Sequence, residues 1–240
     1  FHDPSTAYVS LNGYRFDEFV TYVYKTTDFG ETWTSVKGNL PDDVVNIIVQ
    51  DPVQPQILYV GLDHGSYVSF NDGQEWHLLN NIPNVASYDM VVHPRDLELV
   101  VATHGRSIYV LDTTPFHELV DRLNEPVTLF SFDDIRYSSR WGNQSVDYRD
   151  PLEPNIELLY FAQEASSRKR NQSTDSFEVS ITFKRDDTTL HSTTQDVKKG
   201  FNTYHWNLWD STSNDYLTKG TYKVQITNGS STHEQTFEIK

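Results

Sequence analysis

The side chains able to do chemistry gather in a few short segments. NGYRFDEF (12–19), LDHG (62–65), THGR (103–106) and the stretch LPDDV (40–44) supply Tyr14, Arg15, Asp17, Glu18, Asp42, Asp43, Asp63, His64, His104 and Arg106. Paired carboxylates are what glycoside hydrolysis needs, one as acid and one as nucleophile or base. A histidine beside them can also move a proton or bond a hydroxyl group. The plainer reading of the two His-Gly pairs, His64-Gly65 and His104-Gly105, is a tight turn with one polar hydrogen-bonding residue. A metal needs a third ligand at suitable spacing, and none accompanies the two histidines. No metal and no cofactor is expected, since the chain has no Walker loop, no G-x-S-x-G, no dinucleotide glycine pattern and no cysteine.

A second pattern is TTDFGETW (26–33) against SFNDGQEW (69–76). Each position has a mechanical task. Asp28 and Asn71 can accept hydrogen bonds from backbone N–H groups of their own turn. Gly30 and Gly73 allow the positive φ of a tight hairpin. Thr26 and Ser69 can bond back to the turn, while Trp33 and Trp76 open the next strand and are expected to bury a large ring between sheets. Nothing in this set requires a substrate, so it reads as a fold staple.

The elements that position these groups repeat. HDPSTAYVSL (2–11), QDPVQPQILYVGL (50–62) and VHPRDLELVVAT (92–103) share an Asp or His, a proline, a polar turn and a β-rich run. Each run leads through a hairpin to another strand: 19–26, 66–70 and 107–112. The first two continue through the Asp-Gly-Trp turn to a short closing strand, and 44–50 and 87–92 precede the second and third runs. Four short antiparallel strands at a period of roughly 40–48 residues describe a β-propeller blade. The chain then holds one whole blade between two partial ones. The Asp-Gly-Trp turns lie on one face of such a disc, and the chemistry-bearing hairpins and blade links on the other. Residues 114–124 read as a helix, capped by Thr114 with Pro115 in its first turn and Phe116, Leu119, Val120 and Leu123 on one face. From Asn155 onward, alternating strands at spacings near ten residues read as a β-sandwich. GFNTYHWNLW (200–209) reads as one strand whose Trp206 and Trp209 point to opposite faces. Asp186-Asp187 is a hairpin turn. Arg168, Lys169 and Arg170 form a solvated loop, and Asn-x-Ser sequons begin at residues 143, 171 and 228.

TTDFGETW and SFNDGQEW resemble the Asp-box, the BNR repeat of sialidases, sortilin and bacterial BNR-repeat glycosyl hydrolases. LPDDVVNIIVQDP through HGRSIYVLD is similar to the closing blades of such propellers. GFNTYHWNL with GTYKVQIT is similar to their C-terminal Ig-like sandwich, itself like a flagellar-hook-capping module. The resemblance implies an all-β chain: a partial Asp-box propeller of two to three blades over 1–113, a helical linker at 114–125, and an Ig/FnIII-like sandwich over 126–240. It implies ligand approach on the face opposite the Asp-boxes, where Arg15, Asp17, Glu18, Asp63, His64, His104 and Arg106 collect. The implied function is a non-catalytic fragment of an extracellular or periplasmic bacterial protein that binds or scaffolds protein or glycan. The alternative is part of a glycoside hydrolase whose remaining catalytic residues lie upstream.

Bulk composition agrees with such partners. Residues 1–114 hold 5 basic and 15 acidic groups, the rest 14 and 19, for a net −15. Nucleic acid and anionic membranes are poor partners for that charge. No apolar run reaches the length of a membrane helix, and no signal-peptide pattern is visible in FHDPSTAYVS. Unpaired blade edges would favour self-association.

Overall fold

The computed structural model describes residues 3–143, 150–163 and 176–240. The fold is all-β, a partial propeller and a sandwich, in two compact units, Phe1–Leu123 and Asn124–Lys240.

The first unit contains three small antiparallel sheets. Strands β1 (Ala7–Gly13), β2 (Glu18–Thr26) and β3 (Thr34–Ser35) form the first blade. Strands β4 (Val45–Gln50), β5 (Leu58–Leu62), β6 (Gly65–Ser69) and β7 (His77–Leu78) form the second. Strands β8 (Ser87–His93), β9 (Glu98–Thr103) and β10 (Ile108–Asp112) form the third. Among the described residues only the middle blade has all four strands.

Its burial follows from its place. All of β5 is buried. Because side chains alternate across a sheet, Leu58, Val60 and Leu62 pack toward the first blade in one cluster with Val23, Leu40, Val45 and Trp76. Each entry into a second strand is held by its Asp or His. Asp3 accepts the Ser5 N–H (2.9 Å), Asp51 accepts those of Val53 (2.8 Å) and Gln54 (2.9 Å), and His93 Nδ1 accepts that of Asp96 (3.2 Å).

Helix α1 spans Thr114–Val120, shorter than its apolar pattern suggests. Its cap also differs from the sequence reading. Thr114 is already helical, and its N–H is taken by Asp112 Oδ1 (2.8 Å), while Thr113 at the cap position turns its hydroxyl to Leu97 O (2.8 Å). The helix returns to the middle blade. Phe116 meets Tyr59 and Phe70 (ring centroids 6.2 and 5.9 Å), and His117 Nε2 lies 3.0 Å from the buried Asp51 carboxylate.

The second unit comprises β11 (Val127–Leu129), β12 (Ile156–Ala162), β13 (Ser176–Arg185), β14 (Thr188–Lys198), β15 (Gly200–Trp206), β16 (Trp209–Asp210), β17 (Asp215–Tyr216), β18 (Gly220–Asn228) and β19 (Ser231–Ile239). One sheet has the order β11-β12-β15, the other β14-β13-β18-β19, and β16-β17 is a separate hairpin. Between the two larger sheets lie Leu158, Tyr160 and Trp206 from one side and Val179, Ile181, Phe183, Val224, Ile226 and Phe237 from the other. Asp186-Asp187 is the β13–β14 turn, with Asp186 at φ 52°.

The stretch 200–209 is not one strand. Leu208 takes φ 60° and ends it, burying its own side chain and starting the short β16. Asn228 of the third sequon is buried, its amide donating to Pro126 O (3.0 Å) and Gln163 O (2.7 Å). Arg168, Lys169, Arg170 and the sequon at 171 lie outside the described residues.

Candidate functional site on the hairpin rim

The two Asp-Gly-Trp turns match bond for bond. Thr26 Oγ1 accepts the Gly30 N–H (2.9 Å) and donates to Asp28 (2.7 Å), whose Oδ1 accepts the Thr32 N–H (2.9 Å). Ser69 Oγ accepts the Gly73 N–H (2.9 Å) and donates to Asn71 (3.0 Å), whose Oδ1 accepts the Glu75 N–H (2.9 Å). Gly30 and Gly73 sit at φ 90° and 82°. Thr32 Oγ1 adds a bond to Asp28 Oδ2 (2.5 Å), and these bonds, led by that of the Thr32 hydroxyl, hold the Asp28 carboxyl down at about 2.

The tryptophans part company. Trp76 is 3% exposed, and its indole N–H donates to Val36 O of the first blade (3.0 Å). Asn39 clamps its backbone, accepting the Trp76 N–H (2.6 Å) and donating to its carbonyl (2.9 Å). Trp33, expected to be buried, is 44% exposed. The Trp76 ring is covered by the first blade, whereas among the described residues no sheet stands beside Trp33.

On the opposite hairpins, the link into β4 meets the β5–β6 turn. Asp43 is buried. Its carboxylate accepts the N–H of Val44 (2.8 Å) and of His64 (2.8 Å), and its Oδ1 lies 3.1 Å from His64 Nδ1. Thr21 of the first blade braces Asp43, accepting its N–H and donating to its carbonyl, each at 3.0 Å. The His64 side chain remains 76% exposed, so its ring is anchored at one nitrogen and presented outward at the other. Beside it Asp63 accepts from Asn46 Nδ2 (2.9 Å). Burial, then the charge of Asp43, raises the Tyr67 phenol.

His104 does not repeat His64. Its N–H donates to Ala86 O (2.8 Å), as that of Asp63 does to Val44 O (3.1 Å). His104 therefore occupies the place of Asp63, one residue off the register that the shared His-Gly suggests. The third-blade hairpin is longer, closing at Ala102–Ile108 where the second closes at Leu62–Gly65. The His104 ring lies on Tyr88 instead (5.3 Å), and Arg106 is exposed in the same loop.

On the first blade, Arg15 lies in a short 3-10 turn, Tyr14–Phe16, closed by Asp17 at φ 61°. Glu18 accepts the Tyr22 hydroxyl, and Asp42 pairs with Lys37, which lowers its carboxyl below the ordinary range. Exposed Tyr14, Phe16 and Phe19 stand beside these charges. The rim thus joins Thr21, Asp43 and His64 by direct bonds, with Asp63 next to His64 in the chain and bonded to Asn46, while among the described residues no direct bond links Arg15, Asp17, His104 or Arg106 to that group. Thr21 and Asn46 carried no sequence signal, because both act through contacts between segments about 20 residues apart.

No family model and no curated protein matches this chain. Distant likeness is found to solved structures. PorZ, an essential bacterial surface component of the type-IX secretion system of Porphyromonas gingivalis, aligns over 99% of this chain and 29% of its own, with TM-score 0.35 and 11% identity. An ancestral GH74 enzyme aligns over 90% of this chain and 21% of its own (0.32, 12%). The extracellular domain of a protein assigned as a one-component system from B. thetaiotaomicron aligns over 91% and 28% (0.31, 11%). This chain spans less than a third of each of them.

Proposed function

We propose that this chain is a binding scaffold of an extracellular or periplasmic bacterial protein, that it belongs with the Asp-box propellers its turns resemble, and that its hairpin rim takes a glycan. The observation that carries the reading is the Asp43–His64 pair. A buried carboxylate spends its lone pairs on Val44 and His64, and the result is a fixed, outward imidazole beside Asp63, on a rim that also carries the exposed Tyr14, Phe16 and Phe19. Such a surface bonds hydroxyl groups and stacks on sugar rings. Glu18 and Asp42 are each engaged locally, which favours binding over an opposed acid–base pair.

The test is gel retardation of the chain by a panel of soluble polysaccharides. His64→Ala and Asp63→Ala should each weaken the retardation, and retardation unchanged in both removes the rim from the reading. Reducing-sugar release, lost with Asp63→Ala, would instead support the hydrolase alternative.

The outer edges of β1 and β10 are unpaired among the described residues. We propose that they let copies associate; a monomer by light scattering across concentrations refutes this.

A further inference from the structure

The sandwich carries a row of aromatic rings at the edge of its core, against which Tyr137 and Trp141 pack. Four rings run in a row: Tyr137 to Trp141 (5.1 Å between centroids), Trp141 to Tyr216 (6.3 Å) and Tyr216 to Trp209 (5.0 Å). All four are incompletely buried, and Trp209 is 36% exposed. The hairpin β16–β17 stands apart from both sheets, and it places Trp209 and Tyr216 directly opposite each other. Its base is fixed by Leu208 and Leu217, both buried in the core, with the Leu217 N–H donating to Leu208 O (2.9 Å). Its tip is fixed by Asp210, which accepts from Thr212 N–H (2.8 Å) and Ser213 Oγ (2.9 Å).

Leu208 holds a left-handed φ of 60°. A non-glycine residue rarely adopts that conformation, and such strain gathers where geometry serves a purpose. Here it ends β15 and turns the following tryptophan to the surface. Polar groups flank the row. Glu153 accepts from Tyr216 OH (3.2 Å) and faces Asn207 Nδ2 (3.4 Å), and Lys219 Nζ lies 5.8 Å from the Tyr137 ring. Apolar ring faces with a few convergent acceptors and donors fit a pyranose, whose C–H face stacks while its hydroxyls bond. The carboxylates Glu153, Asp210 and Asp215 nearby disfavour an anionic sugar.

We infer that Trp209, Tyr216 and Trp141, with Glu153 and Asn207 at their margin, form a second binding site, for a neutral polysaccharide, on the sandwich. The test is affinity electrophoresis of the 240-residue chain through gels containing hydroxyethylcellulose, galactomannan or laminarin. Three variants are compared: Trp209→Ala, Trp209→Phe and the rim variant His64→Ala, with melting curves confirming that each is folded. The expected result is retardation by at least one polysaccharide, weakened about tenfold or more in Trp209→Ala, largely restored in Trp209→Phe and still substantial in His64→Ala. Retardation that survives Trp209→Ala, or is lost wholly with His64→Ala, overturns the sandwich site. So does absence of retardation in all three gels.

Discussion

At the scale of single residues, the two turns offer a controlled comparison, since Asp28 and Asn71 make the same bonds within the turn and Asp28 alone adds one from the Thr32 hydroxyl. The folded pKa of Asp28 lies at about 2, below an unfolded value near 4. Its contribution is therefore complete above about pH 4 and is lost as pH falls through about 2. Carbon-13 NMR should show Asp28 titrating near 2, and Asp28→Asn should remove that part of the acid dependence; an ordinary midpoint would sink the assignment. The glycines differ in surroundings. A Cβ on Gly30 would meet nothing nearer than 3.7 Å, whereas one on Gly73 would come within 2.8 Å of Val36 Cβ. Gly30→Ala should cost about 1–2 kcal/mol from its positive φ alone, and Gly73→Ala distinctly more, as read from urea unfolding.

At the scale of elements, a blade is stabilised by its neighbour. Trp76 fills the interface between the first and middle blades, so Trp76→Ala should cost about 3–5 kcal/mol through lost packing and the cavity left behind. Trp33 occupies the same position of the repeat with no sheet beside it among the described residues, and Trp33→Ala should cost less than about 1 kcal/mol. Equal losses in chemical denaturation would show that Trp33 is covered in solution, as association of copies over the first blade would cause. Helix α1 stops at Val120, and of its apolar face Phe116 and Leu119 are the residues that are buried.

At the scale of the whole molecule, the two units have separate cores, one built around Leu58, Val60 and Trp76, the other around Val179, Ile181 and Phe183. Calorimetry should resolve two transitions. Trp206→Ala should lower only the sandwich transition and Trp76→Ala only the propeller one. A single transition shifted by both would show that the units unfold together.

The sequence by itself determined the all-β class, the repeat, the strands of each blade and the bonding of both Asp-Gly-Trp turns. Those features arise from alternation and from contacts within a few residues, which spacing encodes directly. Only the tertiary structure decided which tryptophan is buried, because burial depends on the neighbouring sheet. It also set His104 level with Asp63, since hairpin length and not the His-Gly dipeptide fixes register. The Asp43–His64 bond and the row of rings from Tyr137 to Trp209 join segments roughly 20 to 80 residues apart, a distance no local pattern reports.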